Sequence, residues 1–98
     1  MMVPAVNALF SLMDSVELDF AKWEKGFRTH GDLFRKMGVS RMEYGTSGGN
    51  QMAVCGETND LDAYMKVLQS PATAEAMAFD GVKRETVKTY VLDKDLKV

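Results

Sequence analysis

His30 is the only histidine in this 98-residue chain, and the only tryptophan, Trp23, stands seven residues before it. In "FAKWEKGFRTHGDLFRKMG" both share a helical repeat with Phe20, Phe27, Phe34 and Met37. A neutral imidazole can take a proton near physiological pH. A histidine among aromatic rings therefore offers a general base beside surfaces on which a flat ligand can stack. The same side chain also suits a core, with its ring N–H bonded to a backbone carbonyl. A polar ring on an aromatic stripe must find such a partner, at a cost of about 1–3 kcal/mol if it fails. Phenylalanine or leucine would avoid that cost.

Tyr44 and Tyr64 each bring a hydroxyl that needs a partner or water when buried. Either one paired with His30 would make an acid–base couple, and no spacing selects between them. Trp23, Phe27, His30, Tyr44, Met52 and Tyr64 are the candidate lining of a ligand pocket, with Trp23 and Phe27 equally suited to plain packing. Asn7 is a polar residue on an apolar stretch, placed either in a site or at a seam between subunits. Cys55 has no basic neighbour in sequence and reads as inert packing. Met13, Met37, Met42, Met52, Met65 and Met77 imply an adaptable interior, because thioethers fill irregular space. Asp14, Glu17, Asp60 and Asp62 read as helix caps, and no catalytic carboxylate pair is evident. "GTSGGN" joins two strands rather than opening a helix, so it is a turn and not a phosphate cradle.

Composition narrows the classes. The chain is 46% hydrophobic and 27% charged, the balance of an ordinary globular domain spanning residues 1–98. A net charge of −2 leaves no electrostatic footprint for nucleic acid or an anionic membrane. The cations Lys22, Lys25, Arg28, Arg35 and Lys36 are interspersed with Glu24 and Asp32, as on a solvated helix face. One cysteine excludes an internal disulfide and a multi-cysteine metal site, and suits a reducing cytoplasm. The apolar opening "MMVPAVNALFSLM" lacks a positive leader and is too short to span a bilayer, so it reads as a strand. No metal or cofactor is called for.

The elements that must position these residues follow from periodicity. Residues 5–13 are apolar on both alternating faces, as in a strand covered on both sides. Val6, Ala8, Phe10 and Leu12 form one face; Ala5, Leu9 and Met13 form the other, interrupted by Asn7 and Ser11. Asp14 and Glu17 have capping-box spacing, which predicts one helix from near Val16 to Met37, ended by Gly38. Its apolar stripe from Phe20 to Met37 spans roughly 100°. Residues 41–46 and 51–57 alternate around a turn at 47–50, a hairpin. Thr58 or Asn59 caps a second helix with Leu61, Tyr64, Met65 and Leu68 on its inner side. Ser70, Pro71 and Gly81 bracket a short extra helix, and "RETVKTYVL" closes the chain as a strand. The order β-α-β-β-α-β builds an α+β, ferredoxin-like fold, a four-stranded antiparallel sheet with its helices on one face. Two helices cannot cover both sides of that sheet. The bare side predicts a homodimer closed sheet against sheet.

This layout resembles the dimeric α+β barrel superfamily, which includes antibiotic-biosynthesis-monooxygenase-like domains. The resemblance lies in "DFAKWEKGFRTHGDLFRKMGV", in "NDLDAYMKVLQSPATAEAMAFDGV" and in the final "VKTYVL". It implies a pocket between helices and sheet, and members that are cofactor-free oxygenases, cyclases, isomerases or haem-degrading enzymes. Haem chemistry in that group uses an Asn, a Trp and a second-helix His, and this second helix has no histidine. Cyclase-like members use a His–Tyr pair, which implies His30 with Tyr44 or Tyr64. RNA-recognition modules of the same strand order carry aromatics on the third strand, absent from "QMAVCG", and metal chaperones need paired cysteines. Three functions follow as expectations: binding of a small apolar or aromatic molecule between the first helix and the sheet, a cofactor-free monooxygenase or cyclase with His30 as base, or a purely structural dimerisation module.

Overall fold

A computed structural model describes residues 7–16, 19–94 and 96–98. Strand β1 runs Asn7–Ser15, helix α1 Phe20–Phe27, helix α2 Gly31–Lys36 and strand β2 Val39–Thr46. Strand β3 follows at Gln51–Thr58, then helices α3 (Leu61–Leu68) and α4 (Pro71–Asp80), and strand β4 at Val82–Leu92. The sheet has the order β2-β3-β1-β4 with every pairing antiparallel, as the element order requires. The expected start of the first strand at Ala5 lies outside the described residues.

The predicted long first helix is two helices. Asp19 caps α1 by accepting from the Lys22 N–H, whereas Asp14 lies inside β1 with its N–H bonded to Thr86 Oγ1. Glu17, the other half of the expected capping box, falls outside the described residues. α1 ends because Thr29 turns its hydroxyl back onto the Gly26 carbonyl at 2.6 Å, while the Thr29 and His30 N–H groups make tightened bonds to Gly26 and Phe27. A side chain that competes for backbone groups, flanked by Gly26 and Gly31, interrupts a helix that the apolar stripe alone would continue. His30 lands at the corner, capping α2 by position but not by its side chain.

The second helix also begins later than expected. Its cap is Asp60, which accepts from Ala63 N–H; Thr58 ends β3 instead, where its buried hydroxyl donates to the Met37 carbonyl at 2.7 Å. The last helix starts and stops as read, with Ser70 accepting from Thr73, Pro71 in the first turn and Gly81 at φ +76°.

Leu9, Ser11, Met13 and Ser15 of β1 and Met52, Val54 and Thr58 of β3 are buried beneath the helices. Two apolar clusters fill that layer. One gathers Met13, Trp23, Met52, Val54 and Val82 under α1; the other gathers Leu9, Met37, Val39 and Tyr64 under α2 and α3. Asn7 shares the phase of Leu9 and Ser11, so it lies on the helix side and not at a seam between sheets. On the opposite side, Ala8, Phe10 and Leu12 pair with Glu57, Cys55 and Ala53 on one flank and Leu92, Tyr90 and Lys88 on the other. Among the described residues no helix lies over this strip, and Tyr90 and Leu92 are about half exposed (48% and 49%).

Candidate functional site

A cavity of about 70 Å³ lies where the two clusters meet. Trp23 and Met13 bound it from one cluster and Met37 and Tyr64 from the other, with Phe27, Phe34 and Met77 closing it beneath the helices. His30 and Asp80 stand together in its wall. The His30 Nε2 lies 3.0 and 2.9 Å from the two Asp80 carboxylate oxygens, across 50 residues of chain. Both side chains are shielded, with 17% of His30 and 4% of Asp80 exposed. Burial pushes the Asp80 carboxyl above the ordinary carboxylate value, and the bond from His30 opposes that shift. A carboxylate accepting at Nε2 fixes the neutral imidazole with its proton there, so Nδ1 carries the lone pair. That is the arrangement of a general base held in orientation by a carboxylate.

Asp80 is the residue the sequence reading missed. A signal was present: Asp80 is the last residue of α4, where the negative end of the helix dipole disfavours a carboxylate, and that last turn holds no basic residue. A carboxylate kept in such a position has a partner elsewhere.

Of the candidates named from sequence, Trp23, Phe27, His30 and Tyr64 surround the cavity, whereas Tyr44 and Met52 do not line it. Met52 is fully buried in the cluster under α1. The Tyr44 ring packs edge-on against Trp23 and Phe27, but its hydroxyl donates to Glu24 Oε2 at 2.6 Å and accepts from Arg28 Nε at 2.5 Å. The Glu24 bond is the main reason its phenol is raised above the ordinary value. Tyr64 is buried, raised by that burial, and bonded to Ser11, which also meets Thr89 at 2.8 Å. Neither hydroxyl is spent on His30, so the expected His–Tyr couple gives way to His–Asp. The Trp23 ring stacks on Phe27 with centroids 4.6 Å apart, and its buried Nε1 has no hydrogen-bond partner among the described residues. No group of three or more His, Cys, Asp or Glu side chains among the described residues is placed to hold a metal ion.

Solved structures share this fold. A cofactor-independent oxygenase from Streptomyces nogalater, SnoaB, matches at a TM-score of 0.67 and 17% identity, over 96% of this chain and 98% of that one. A protein assigned to the antibiotic biosynthesis monooxygenases of Bordetella bronchiseptica matches at 0.72 and 15% identity, over 93% and 98%. A hydroxynitrile lyase from Passiflora edulis matches at 0.59 and 13% identity, over 97% and 100%. The chain has the fold of the antibiotic-biosynthesis-monooxygenase-like, dimeric α+β barrel proteins. At these identities the likeness shows the fold, and one fold carries several chemistries. No protein-family profile and no curated protein matches the sequence. No helix among the described residues is long and apolar enough to cross a membrane.

Proposed function

We propose that this chain is a homodimeric general-base enzyme that takes a small apolar or aromatic substrate into the cavity beneath α1 and α2. The observation that carries this reading is the His30–Asp80 pair set in the wall of an otherwise apolar space. His30 accepts the proton at Nδ1, and Asp80 stabilises the imidazolium that forms. The unpartnered Trp23 N–H is a donor for an oxygen of the ligand. The cavity is well below the roughly 300 Å³ of ordinary ligand pockets, and an apolar cavity of about 150 Å³ is what benzene needs. A substrate therefore enters by displacing side chains, and the walls at Met13, Met37 and Met77 suit such movement. Two proteins of the same shape are described as enzymes, one a cofactor-independent oxygenase and the other a hydroxynitrile lyase.

A coloured phenol tests this without knowledge of the substrate. Bound 4-nitrophenol is expected to ionise about one pH unit below the free dye, read by its absorbance, because His30 takes its proton. His30→Gln keeps the binding and loses that shift. A bound dye that titrates as the free dye does in the wild type leaves a binding protein without base chemistry. A dye that does not bind leaves a structural module.

A further inference from the structure

The cavity beneath the helices holds a second polar group. Ser11 and Tyr64 line it together with His30 and Asp80, and both are almost wholly buried (5% and 4% exposed). They stand at another part of the wall. The His30–Asp80 pair lies by the end of β1, because Val82, just after Asp80 on the next strand, pairs with Ser15. Tyr64 meets β1 at Ser11, roughly 13 Å back along the extended strand.

Thr89 faces Ser11 across the pairing of β1 with β4, and their hydroxyls are bonded at 2.8 Å. Ser11 in turn acts on Tyr64 as a hydrogen-bond donor, pulling its phenol down against the burial that raises it. A serine hydroxyl has one hydrogen to give. Ser11 spends it on Tyr64, so Ser11 accepts the bond from Thr89. The row runs Thr89 to Ser11 to Tyr64 and leaves the Tyr64 hydrogen over. No hydrogen bond donated by Tyr64 occurs among the described residues. Burial favours the neutral phenol, so that hydrogen is kept. A buried donor of this kind is costly until an acceptor meets it.

We propose that Tyr64 donates this hydrogen to the substrate, and that the substrate is a small aromatic molecule with an acidic hydrogen at one end, for His30, and a hydrogen-bond acceptor such as a carbonyl oxygen at the other, for Tyr64. This rests on the reading of the cavity as the site of a general base. Ser11 and Thr89 are positioning residues, which occupy the phenol oxygen from the strand side and turn its hydrogen toward the cavity. A molecule with an alkyl group in place of the acceptor leaves the Tyr64 O–H buried and unpaired, and the site discriminates against it.

The probes 4-hydroxyacetophenone and 4-ethylphenol have nearly the same shape and differ in that acceptor. By calorimetry the ketone is expected to bind about tenfold more tightly. Tyr64→Phe, which removes the hydroxyl and keeps the ring, should bring the ketone down to the level of ethylphenol. In the infrared, the carbonyl stretch of the ketone bound to the wild type should lie below its position in an apolar solvent, a reading that needs no variant to fold. Thr89→Val should weaken the ketone more than ethylphenol, and equal weakening overturns the part given to Thr89. Equal binding of the two probes, or an unshifted carbonyl, overturns the assignment of Tyr64 while the cavity reading stands. A preference that survives Tyr64→Phe does the same, since it belongs to the greater acidity of the ketone toward His30 or to the Trp23 N–H. Binding of neither probe overturns the cavity reading itself and this inference with it.

Discussion

A carboxylate at the end of a helix, shielded from water, holds its proton more tightly folded than unfolded, and Asp80 is in that position. The sign of its effect on stability follows. Because the folded-state pKa lies above the ordinary 3.8, protonated Asp80 favours the folded chain. That contribution is fully present below pH 3.8 and is lost as the pH rises through the folded-state value. Each unit of separation between the two is worth about 1.4 kcal/mol. Measured by urea denaturation across the acid range, the stability of the wild type relative to Asp80→Asn should therefore fall with rising pH. A difference that rises instead would mean that the bond from His30 outweighs burial and that the pair stabilises the fold as an ordinary ion pair.

At the level of elements, the corner between α1 and α2 is what brings His30 to Asp80. One straight helix would carry the stripe onward; the break at Arg28–His30 sets the imidazole against the end of α4 instead. Gly26 is the contact that allows it. A Cβ there would fall inside the Asp80 carboxylate, so α1 and α4 can approach only over a residue without a side chain. Gly26→Ala is expected to cost about 1–3 kcal/mol by overpacking and to abolish the ionisation shift of a bound phenol, as loss of Asp80 would. Gly49→Ala, in the turn at 47–50 where an added methyl meets open space, is the control. If Gly26→Ala denatures at the same urea concentration as that control, the close approach of α1 and α4 is not what holds the pair.

For the whole molecule, the bare side of the sheet is the surface on which the proposed homodimer would close. Phe10 sits at its middle, facing Cys55 and Tyr90 across the two neighbouring strands, with its ring centroid 6.3 Å from that of Tyr90. Arg41, Glu43, Glu57 and Lys88 are exposed around the strip, the arrangement of an apolar centre with a charged rim. Burial of this face against a second copy is the reading that the fold favours, and the light-scattering mass of the wild type should be twice that of the chain. Phe10→Glu places a charge at the centre of the seam and should give the monomer mass. A wild type that scatters as a monomer at micromolar concentration removes the dimer.

Much of this was legible in the residues themselves. The run of apolar residues on both faces of β1 marked a strand, and the turn at 47–50, the Ser70–Pro71 start and the Gly81 stop placed later elements to within a residue or two. Those signals are local, carried by side-chain period and backbone preference. The apolar stripe from Phe20 to Met37 was also visible, but a stripe reports which side is buried and not whether the helix is continuous. Its break depends on Thr29 and on the room that Gly26 leaves for α4. His30 stood out as a polar ring on an apolar face, whereas its partner could not be chosen from Tyr44, Tyr64 or a backbone carbonyl by spacing. Only the packing of α4 against α1 decided for Asp80, 50 residues away, because a long-range pair is set by how the elements meet over the sheet.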